Sequence, residues 1–337
     1  MSRARALLLT LLASILAGAP ALAAPPPDFG AQIRQFVAET SEKHGFDRDE
    51  LQALMDQARY RQSIINAITR PAEAKPWYKY RRIFVTDSRA NQGVAFWEQN
   101  EALLQQAEAQ YGVPPEIIVA IIGVETRYGR HAGKYSVLDA LATLAFGYPR
   151  RSAFFKKQLE AFLLLAREEK TDPLSLKGSY AGAMGKPQFI PTSYRAYAVD
   201  FDNDGRRDIW TSNADAIGSV AAYFRKHGWK SDAPITRSVT GAGKAHAHFV
   251  KAGMKPSIKL SELDAAGISV PGDLAPDDLS SLVRLRVRGG AEYWLGLHNF
   301  YVITRYNHSN LYAMAVYQLS QEILKRRAGS EKRDDKK

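Results

Sequence analysis

The chain has 337 residues, a formal charge of +11 and no cysteine. Such a length can bury a sizeable core in more than one domain. The lack of cysteine excludes disulfides, a thiol nucleophile and a cysteine-borne lipid anchor, while the basic balance favours anionic partners and comes without the helix-turn-helix, zinc-finger or RNA-binding pattern that would point to nucleic acid.

Arg3 and Arg5, an apolar run from Ala6 to Ala19, and Ala21, Leu22 and Ala23 read as a positive n-region, a short h-region and a small-residue cleavage site. Residues 1–23 are therefore expected to be a secretory signal peptide cut after Ala23. The apolar run is too short to span a bilayer comfortably. The mature chain is expected in the periplasm with neither membrane span nor lipid anchor, and loss of Arg3 and Arg5 takes its charge from +11 to +9. For an exported basic protein, the acidic wall polymer is the natural partner.

Residues 28–112 read as an N-terminal helical region. Two or three amphipathic helices are expected between 31 and 70, with Asp47 and Glu50 spaced as a capping box. Trp77, Tyr78 and Tyr80 follow Pro76 in a loop-like aromatic segment, whose rings would either stack on sugar faces, Tyr80 among them, or close the core. Another amphipathic helix is expected from Gln92 to Tyr111.

The stretch around which the chain is organised follows, and opens a core expected over 113–230. Pro114 and Pro115 suit a first helical turn, and Glu116 complements the positive helix start. From Ile117 to Val124 every residue is apolar or glycine, so this helix should run through the interior. It ends on Glu125, one turn from Ile121 and Ile122. A carboxyl held against apolar walls is disfavoured as an anion and can keep a proton to donate as a general acid. The alternative is a structural pair with Arg127 or Arg130.

Ser136 to Leu144 reads as a helix, Gly147 to Arg151 as a turn and 152–169 as another helix. In that turn Arg150 and Arg151 would receive carboxylates of wall peptide stems or remain a solvated pair. Gly178, Gly182 and Gly185 allow close approach of a ligand to main-chain amides, with Ser179 and Gln188 offering neutral hydrogen bonds to sugar hydroxyls and acetamides. Asp200, Asp202 and Asp204 at loop positions one, three and five, with Gly205 at six, match the first half of an EF-hand calcium loop; Arg206 at seven would contribute through its main chain and Asp208 at nine through a water. Thr211 stands at position twelve, so Asp215 is expected to complete the shell of a structural Ca2+. The helix of 215–228 carries Tyr223 on the face of Ile217 and Val220, a spacing that fits core packing.

Residues 231–298 change to Thr, Ser, Gly and Pro and read as a small β-containing insertion, with Val283, Leu285 and Val287 alternating against Arg284, Arg286 and Arg288 before a turn at Gly289 and Gly290. His246 and His248 would share a strand face, a weak zinc pattern. An extended run from Asn299 ends at Asn307 and Ser309, which cap a helix from Asn310 to Lys325 in a C-terminal segment over 299–327. The charged tail of 328–337 is expected to be disordered.

Gly123, Val124, Glu125, Thr126, Arg127, Tyr128 and Gly129, then Gly182, Ala183, Met184, Gly185, Gln188 and Phe189, then the run from Asn299 to Ser309, together resemble lytic transglycosylases of the membrane-bound B family, which cut bacterial cell-wall glycan. The resemblance extends from Gln32 to Leu324. It implies a mainly α (α+β) protein with a lysozyme-like helical catalytic core, peptidoglycan as substrate, cell-wall synthases as partners and no catalytic cofactor. It implies Glu125 as catalytic residue assisted by Ser179, with Gln188, Tyr223, Tyr306 and Asn307 lining the glycan cleft. Members of that family are often lipoproteins, a pattern from which this cysteine-free chain departs.

A glycosidase that uses water sets a second carboxylate across the bond. Among Ser179, Gln188, Tyr223, Tyr306 and Asn307 there is none. One carboxylate is then expected to protonate the leaving oxygen between N-acetylmuramic acid and N-acetylglucosamine and to deprotonate the C6 hydroxyl, closing a 1,6-anhydro ring. The rivals are a muramidase using Asp139 or Glu160 as second carboxylate and a non-catalytic wall-binding protein.

Overall fold

In the computed structural model, residues 25–70 and 75–334 are described, so the expected signal peptide lies outside the described residues. The chain opens with α1 (Phe29–His44), α2 (Arg48–Met55) and α3 (Gln62–Thr69). Asp47 starts α2 by accepting the amides of Asp49 and Glu50 at 3.0 and 2.9 Å, and Gly45 ends α1 in the left-handed conformation at φ 64°. Next come α4 (Trp77–Phe84), α5 (Asp87–Gln99), α6 (Glu101–Tyr111) and α7 (Pro115–Thr126).

Two expectations change here. The aromatic segment after Pro76 is helical, because Pro76 serves as N-cap of α4 and Trp77 is buried at 2 % exposure. The single helix expected over 92–111 is two helices broken at Asn100, whose side-chain amide bonds back to the Phe96 carbonyl at 2.7 Å. An Asn able to satisfy local backbone groups ends a helix without glycine or proline.

α7 is the buried axis. All its residues except Glu116 and Glu125 are buried, and each of its four isoleucines, with no exposed surface, contributes about 2 kcal/mol by leaving water. Gly123 is required inside it: a Cβ there would meet the Tyr128 hydroxyl at 2.6 Å, because that ring packs into the groove between α7 and α5.

β1 (Tyr135–Ser136) then leads into α8 (Val137–Gly147), a 3-10 turn at Pro149–Arg151, and α9 (Ser152–Glu168). β2 (Lys177–Gly178) pairs antiparallel with β1, and is followed by α10 (Pro191–Tyr197) and α11 (Asn213–Lys226). The core of the helical part is in two parts. α1 to α3 pack on α8 and α9 around Phe36, Leu138 and Phe162, whereas α4 to α7 gather with α11 and the C-terminal helices around Ile118, Ile122 and Val316.

The insertion is a four-stranded antiparallel sheet in the order β3 (Thr236–Val239), β6 (Gly290–Gly296), β5 (Leu279–Val287), β4 (Ile258–Lys259). The hairpin read from Val283 to Leu295 is present, with Val287 opposite Gly290. The segment also holds α12 (Ala247–Lys251) and α13 (Leu260–Ala265). His246 and His248 are therefore not on a strand: the first ends a 3-10 turn, with Nδ1 accepting the Gly243 amide at 2.9 Å and Nε2 at 3.0 Å from the Ala266 carbonyl.

The chain closes with α14 (His298–Tyr306) and α15 (Asn310–Asp334). The extended run expected over 299–307 is the helix α14. The β-branched sequence Val302, Ile303, Thr304 favours a strand locally, but all three are fully buried in the core, and packing overrides so weak a preference. The tail read as disordered continues α15 to Asp334.

Candidate active site

Glu125 sits in the last turn of α7, where the helix is stopped abruptly. Arg127, Tyr128 and Gly129 all have positive φ, at 53°, 61° and 85°. For Arg and Tyr this conformation costs about 1 kcal/mol or more each, and side-chain bonds hold it. Arg127 donates to Gln92 and Ser88 at 2.9 and 2.8 Å, and the Tyr128 hydroxyl donates to the Arg89 carbonyl at 2.9 Å. Arg127 is thus bound to α5 and is not the structural partner of Glu125.

The partner of Glu125 is Tyr312, near the start of α15, whose hydroxyl donates to Oε1 at 2.6 Å. Removal from water raises the Glu125 pKa to about 7, and the Tyr312 bond acts in the opposite direction. The other groups that feel its charge are Tyr80 and Tyr306, each pushed up first by burial and then by Glu125. A carboxyl whose pKa is raised to about 7 among apolar surfaces and phenols can both give and take a proton near physiological pH.

Tyr312 belongs to a cluster of aromatic side chains from three helices. Tyr306 stacks nearly parallel to Tyr312 at 6.4 Å and meets Tyr223 edge-on at 4.7 Å. Its hydroxyl donates to the Pro187 carbonyl at 2.6 Å, which fastens the glycine-rich loop to α14. The Tyr223 hydroxyl donates to the Arg305 carbonyl at 2.6 Å, so that buried residue joins α11 to α14. Gln188, itself at φ 53°, donates its amide to the carbonyls of Ala132 and Gly185 at 3.0 and 2.9 Å. Its carbonyl oxygen is left to accept from a ligand. Ser179 Oγ accepts the amides of Ala181 and Ala183 at 3.3 and 3.1 Å and keeps its proton to donate. Asn307 is exposed at the end of α14.

Arg150 and Arg151 lie on the exposed 3-10 turn before α9, where Arg151 covers the Phe154 ring at 4.2 Å. No contact joins either to the tyrosine cluster among the described residues. Asp139 and Glu160 are occupied elsewhere: Asp139 accepts the Arg59 amide at 2.8 Å and the Arg61 guanidinium at 2.9 Å, and Glu160 bonds Lys43 and His44 at 2.8 and 2.7 Å.

Two positions were not singled out from the sequence. Tyr312 looks like one more apolar residue of an amphipathic helix. Thr126 is buried at 1 % exposure; its hydroxyl donates to the Lys186 carbonyl at 2.9 Å and accepts the Gly129 amide at 3.0 Å. It ties the turn after Glu125 to the loop that carries Gln188. Thr126→Val keeps the shape and leaves two part-buried backbone groups without this partner, at a cost of about 1–3 kcal/mol. Calorimetry should report a Tm lower by several degrees, with kcat down about tenfold because Glu125 loses its register with that loop.

The aspartate loop lies on the other side of the same network. Carboxylate oxygens of Asp200, Asp202 and Asp204 lie within 4.8 Å of one another, and Asn203 and Gly205 turn the chain at φ 60° and 89°. Three converging carboxylates of mixed exposure are a hard, all-oxygen donor set, which fits Ca2+. Asp215 is not one of that trio. It is fully buried, and its two oxygens accept the amides of Phe201 and Asp208 at 2.7 and 2.6 Å, so it braces the loop from beneath. The Arg206 amide donates to Asp204 Oδ1 at 2.9 Å. Lys186 Nζ donates to the Thr211 carbonyl and to Asn213, both at 2.6 Å, which joins this loop to the glycine-rich one.

The family described as "Transglycosylase SLT domain" matches residues 28–321. The membrane-bound lytic murein transglycosylase B of Escherichia coli is 48% identical over 300 residues, covering 86% of this chain and 82% of its own. Among solved structures, soluble lytic transglycosylase SltB1 of Pseudomonas aeruginosa superposes with a TM-score of 0.84 at 51% identity, covering 88% of this chain and 99% of that one. Escherichia coli lytic transglycosylase Slt35 in complex with calcium gives a TM-score of 0.81 at 47% identity, covering 91% of this chain and 96% of that one. The helical architecture, the single carboxyl among tyrosines and these likenesses agree: the chain belongs to the transglycosylase SLT-domain family of lytic murein transglycosylases.

Proposed function

We infer that the chain is a peptidoglycan lytic transglycosylase in which Glu125 alone performs both proton transfers. The carrying observation is a carboxyl with pKa near 7 whose charge is felt by tyrosines, while Asp139 and Glu160, the acids a muramidase would need, are bound to basic groups elsewhere. Protonated Glu125 donates to the glycosidic oxygen as the bond from muramic acid C1 to that oxygen breaks, releasing the N-acetylglucosamine hydroxyl. Positive charge develops at C1, steadied by the substrate's own acetamide. The Glu125 carboxylate then takes the C6 hydroxyl proton as O6 closes on C1, which leaves a 1,6-anhydro end and regenerates the acid.

Within this reading Ser179 donates to, and Gln188 accepts from, polar groups of the sugar, while Tyr80 offers a ring face near Glu125 and Asn307 a terminal contact at the cleft rim. Tyr306 and Tyr223 support the cleft by packing and by their carbonyl bonds. Arg150 and Arg151 would meet stem carboxylates further out. Mass spectrometry of muropeptides released from purified peptidoglycan tests the reading. Products lighter by one water (~18 Da) than reducing muropeptides are expected; reducing ends would mean a hydrolase, and no release would mean a binding protein.

The same reading places the protein in the periplasm after cleavage at Ala23, free of a lipid anchor since the sequence has no cysteine to carry one. Among the described residues no helix is long and apolar enough to cross a membrane.

The aspartate loop is read as a structural Ca2+ site of Asp200, Asp202, Asp204 and the main chain of Arg206, with Asp215 holding the loop. Charge neutralisation there would fix Thr211 and, through Lys186 and Thr126, the turn beside Glu125. Millimolar Ca2+ is expected to raise the Tm by roughly 5 °C. Asp200→Asn should remove that rise, and a wild-type Tm indifferent to both Ca2+ and chelator would refute the site.

A further inference from the structure

The sheet of the insertion has two unlike faces. Val283 and Leu285 on β5 enter the main core. On the opposite face Leu282 and Leu295 close a small separate cluster, and beyond them the strand continues with Arg284 and Arg286 and turns at Arg288, all three exposed. Alternate residues of a strand stand about 7 Å apart on one face, so Arg284 and Arg286 project side by side, and Arg288 in the hairpin turn extends the basic edge. This edge borders a groove of about 620 Å³ whose charged lining is Lys244, Arg284, Arg286 and Arg288, flanked by Tyr78 and Tyr293.

None of these four cations has a carboxylate partner among the described residues. Glu292, the acid on the neighbouring strand, stands opposite Leu285 and so projects from the other face. Arg288 instead lies 5.8 Å from the centre of the Tyr78 ring. A row of unpaired guanidinium groups repels itself unless anions meet it, and the planar fork of Arg matches carboxylates in particular.

The groove is separate from the catalytic cleft but shares a wall with it. Tyr80 on α4 faces Glu125, and residues two apart on a helix point to nearly opposite sides, so Tyr78 faces the groove with α4 between.

We propose that this Arg-lined groove is an accessory site for the carboxylates of peptidoglycan stem peptides, holding the enzyme to wall material beside the strand it cuts. The identity of the ligand rests on the transglycosylase reading, while the groove's preference for carboxylates rests on its own geometry. A stem peptide is a short extended chain with several carboxylates, a fit to cations repeated at strand spacing and backed by tyrosine faces.

The test uses the full chain in a Glu125→Gln background, so that the wall is not consumed. Binding to insoluble sacculi is compared before and after an amidase strips their stems. Changing Arg284, Arg286 and Arg288 together to Gln is expected to weaken binding to intact sacculi about tenfold, each exposed pair being worth roughly a factor of two to three, and to leave binding to stripped sacculi unchanged. Arg286→Gln alone should weaken binding to intact sacculi about twofold, and the triple Lys variant should restore part of the affinity. Equal affinity of triple variant and parent for intact sacculi would overturn the proposal. An identical loss on stripped sacculi would overturn it as well, as would a loss confined to anionic lipid vesicles. With Glu125 restored, the triple Gln variant should cut soluble peptide-free glycan at the parent rate. A parent that cuts nothing would count against the catalytic reading and leave the sacculus result intact.

Discussion

Glu125→Gln is expected to lower release of anhydro-muropeptides at least about a thousandfold, since one substitution removes both the acid and the base. The same substitution should stabilise the protein. The carboxyl has a folded-state pKa of about 7 against an ordinary value near 4.3 in the unfolded chain, so folding favours the protonated form. Its contribution to stability is complete below the unfolded value and is lost as pH rises through about 7. Glutamine copies the neutral acid at every pH. At pH 8 the variant should therefore be more stable than the parent by up to about 3 kcal/mol, and near pH 4 the two should coincide. Calorimetry at both pH values checks this. Lost activity with a higher Tm at pH 8 would identify a carboxyl held under strain for chemistry, whereas a lower Tm at both pH values would mean that Glu125 is a structural partner whose role in turnover is indirect.

Much of this site is legible in the sequence because its signals are local. The proline start at 114 and 115, the apolar run to Val124 and the glycine at 129 delimit α7 and place a carboxylate at its end. The aspartates at 200, 202 and 204 announce their own loop by spacing. What escaped is what depends on distant pairing. Tyr312 touches Glu125 across 187 residues, and nothing in a helical period says which apolar position will meet a carboxyl. Thr126 belongs to the most conspicuous motif of the chain, yet its partner is the carbonyl of Lys186, a backbone atom with no sequence signature. α14 failed for the converse reason: local preference was readable, and burial of Val302 and Ile303 overruled it, while the break at Asn100 turns on one side-chain bond to the Phe96 carbonyl.

Activity should follow the protonated fraction of Glu125, with kcat/KM constant in mildly acidic solution and falling about tenfold per pH unit above a pKa near 7. Tyr312→Phe is the decisive companion. The phenol donates to Oε1 at 2.6 Å and so stabilises the carboxylate form, opposing the effect of burial. Without it the pKa rises, and the alkaline limb should move up by about one pH unit, the size expected when a hydrogen bond to a charged group is lost. Two consequences then oppose each other. At pH 8 more of the enzyme holds its proton. The second step, however, needs a carboxylate that can take the C6 proton while it is oriented, and the variant loses that orientation. The result should be a lower plateau, by about tenfold, with a limb displaced to higher pH. A plateau lowered with the limb unmoved would show that Tyr312 positions the acid without tuning it, and an unchanged profile would detach Tyr312 from the reaction altogether.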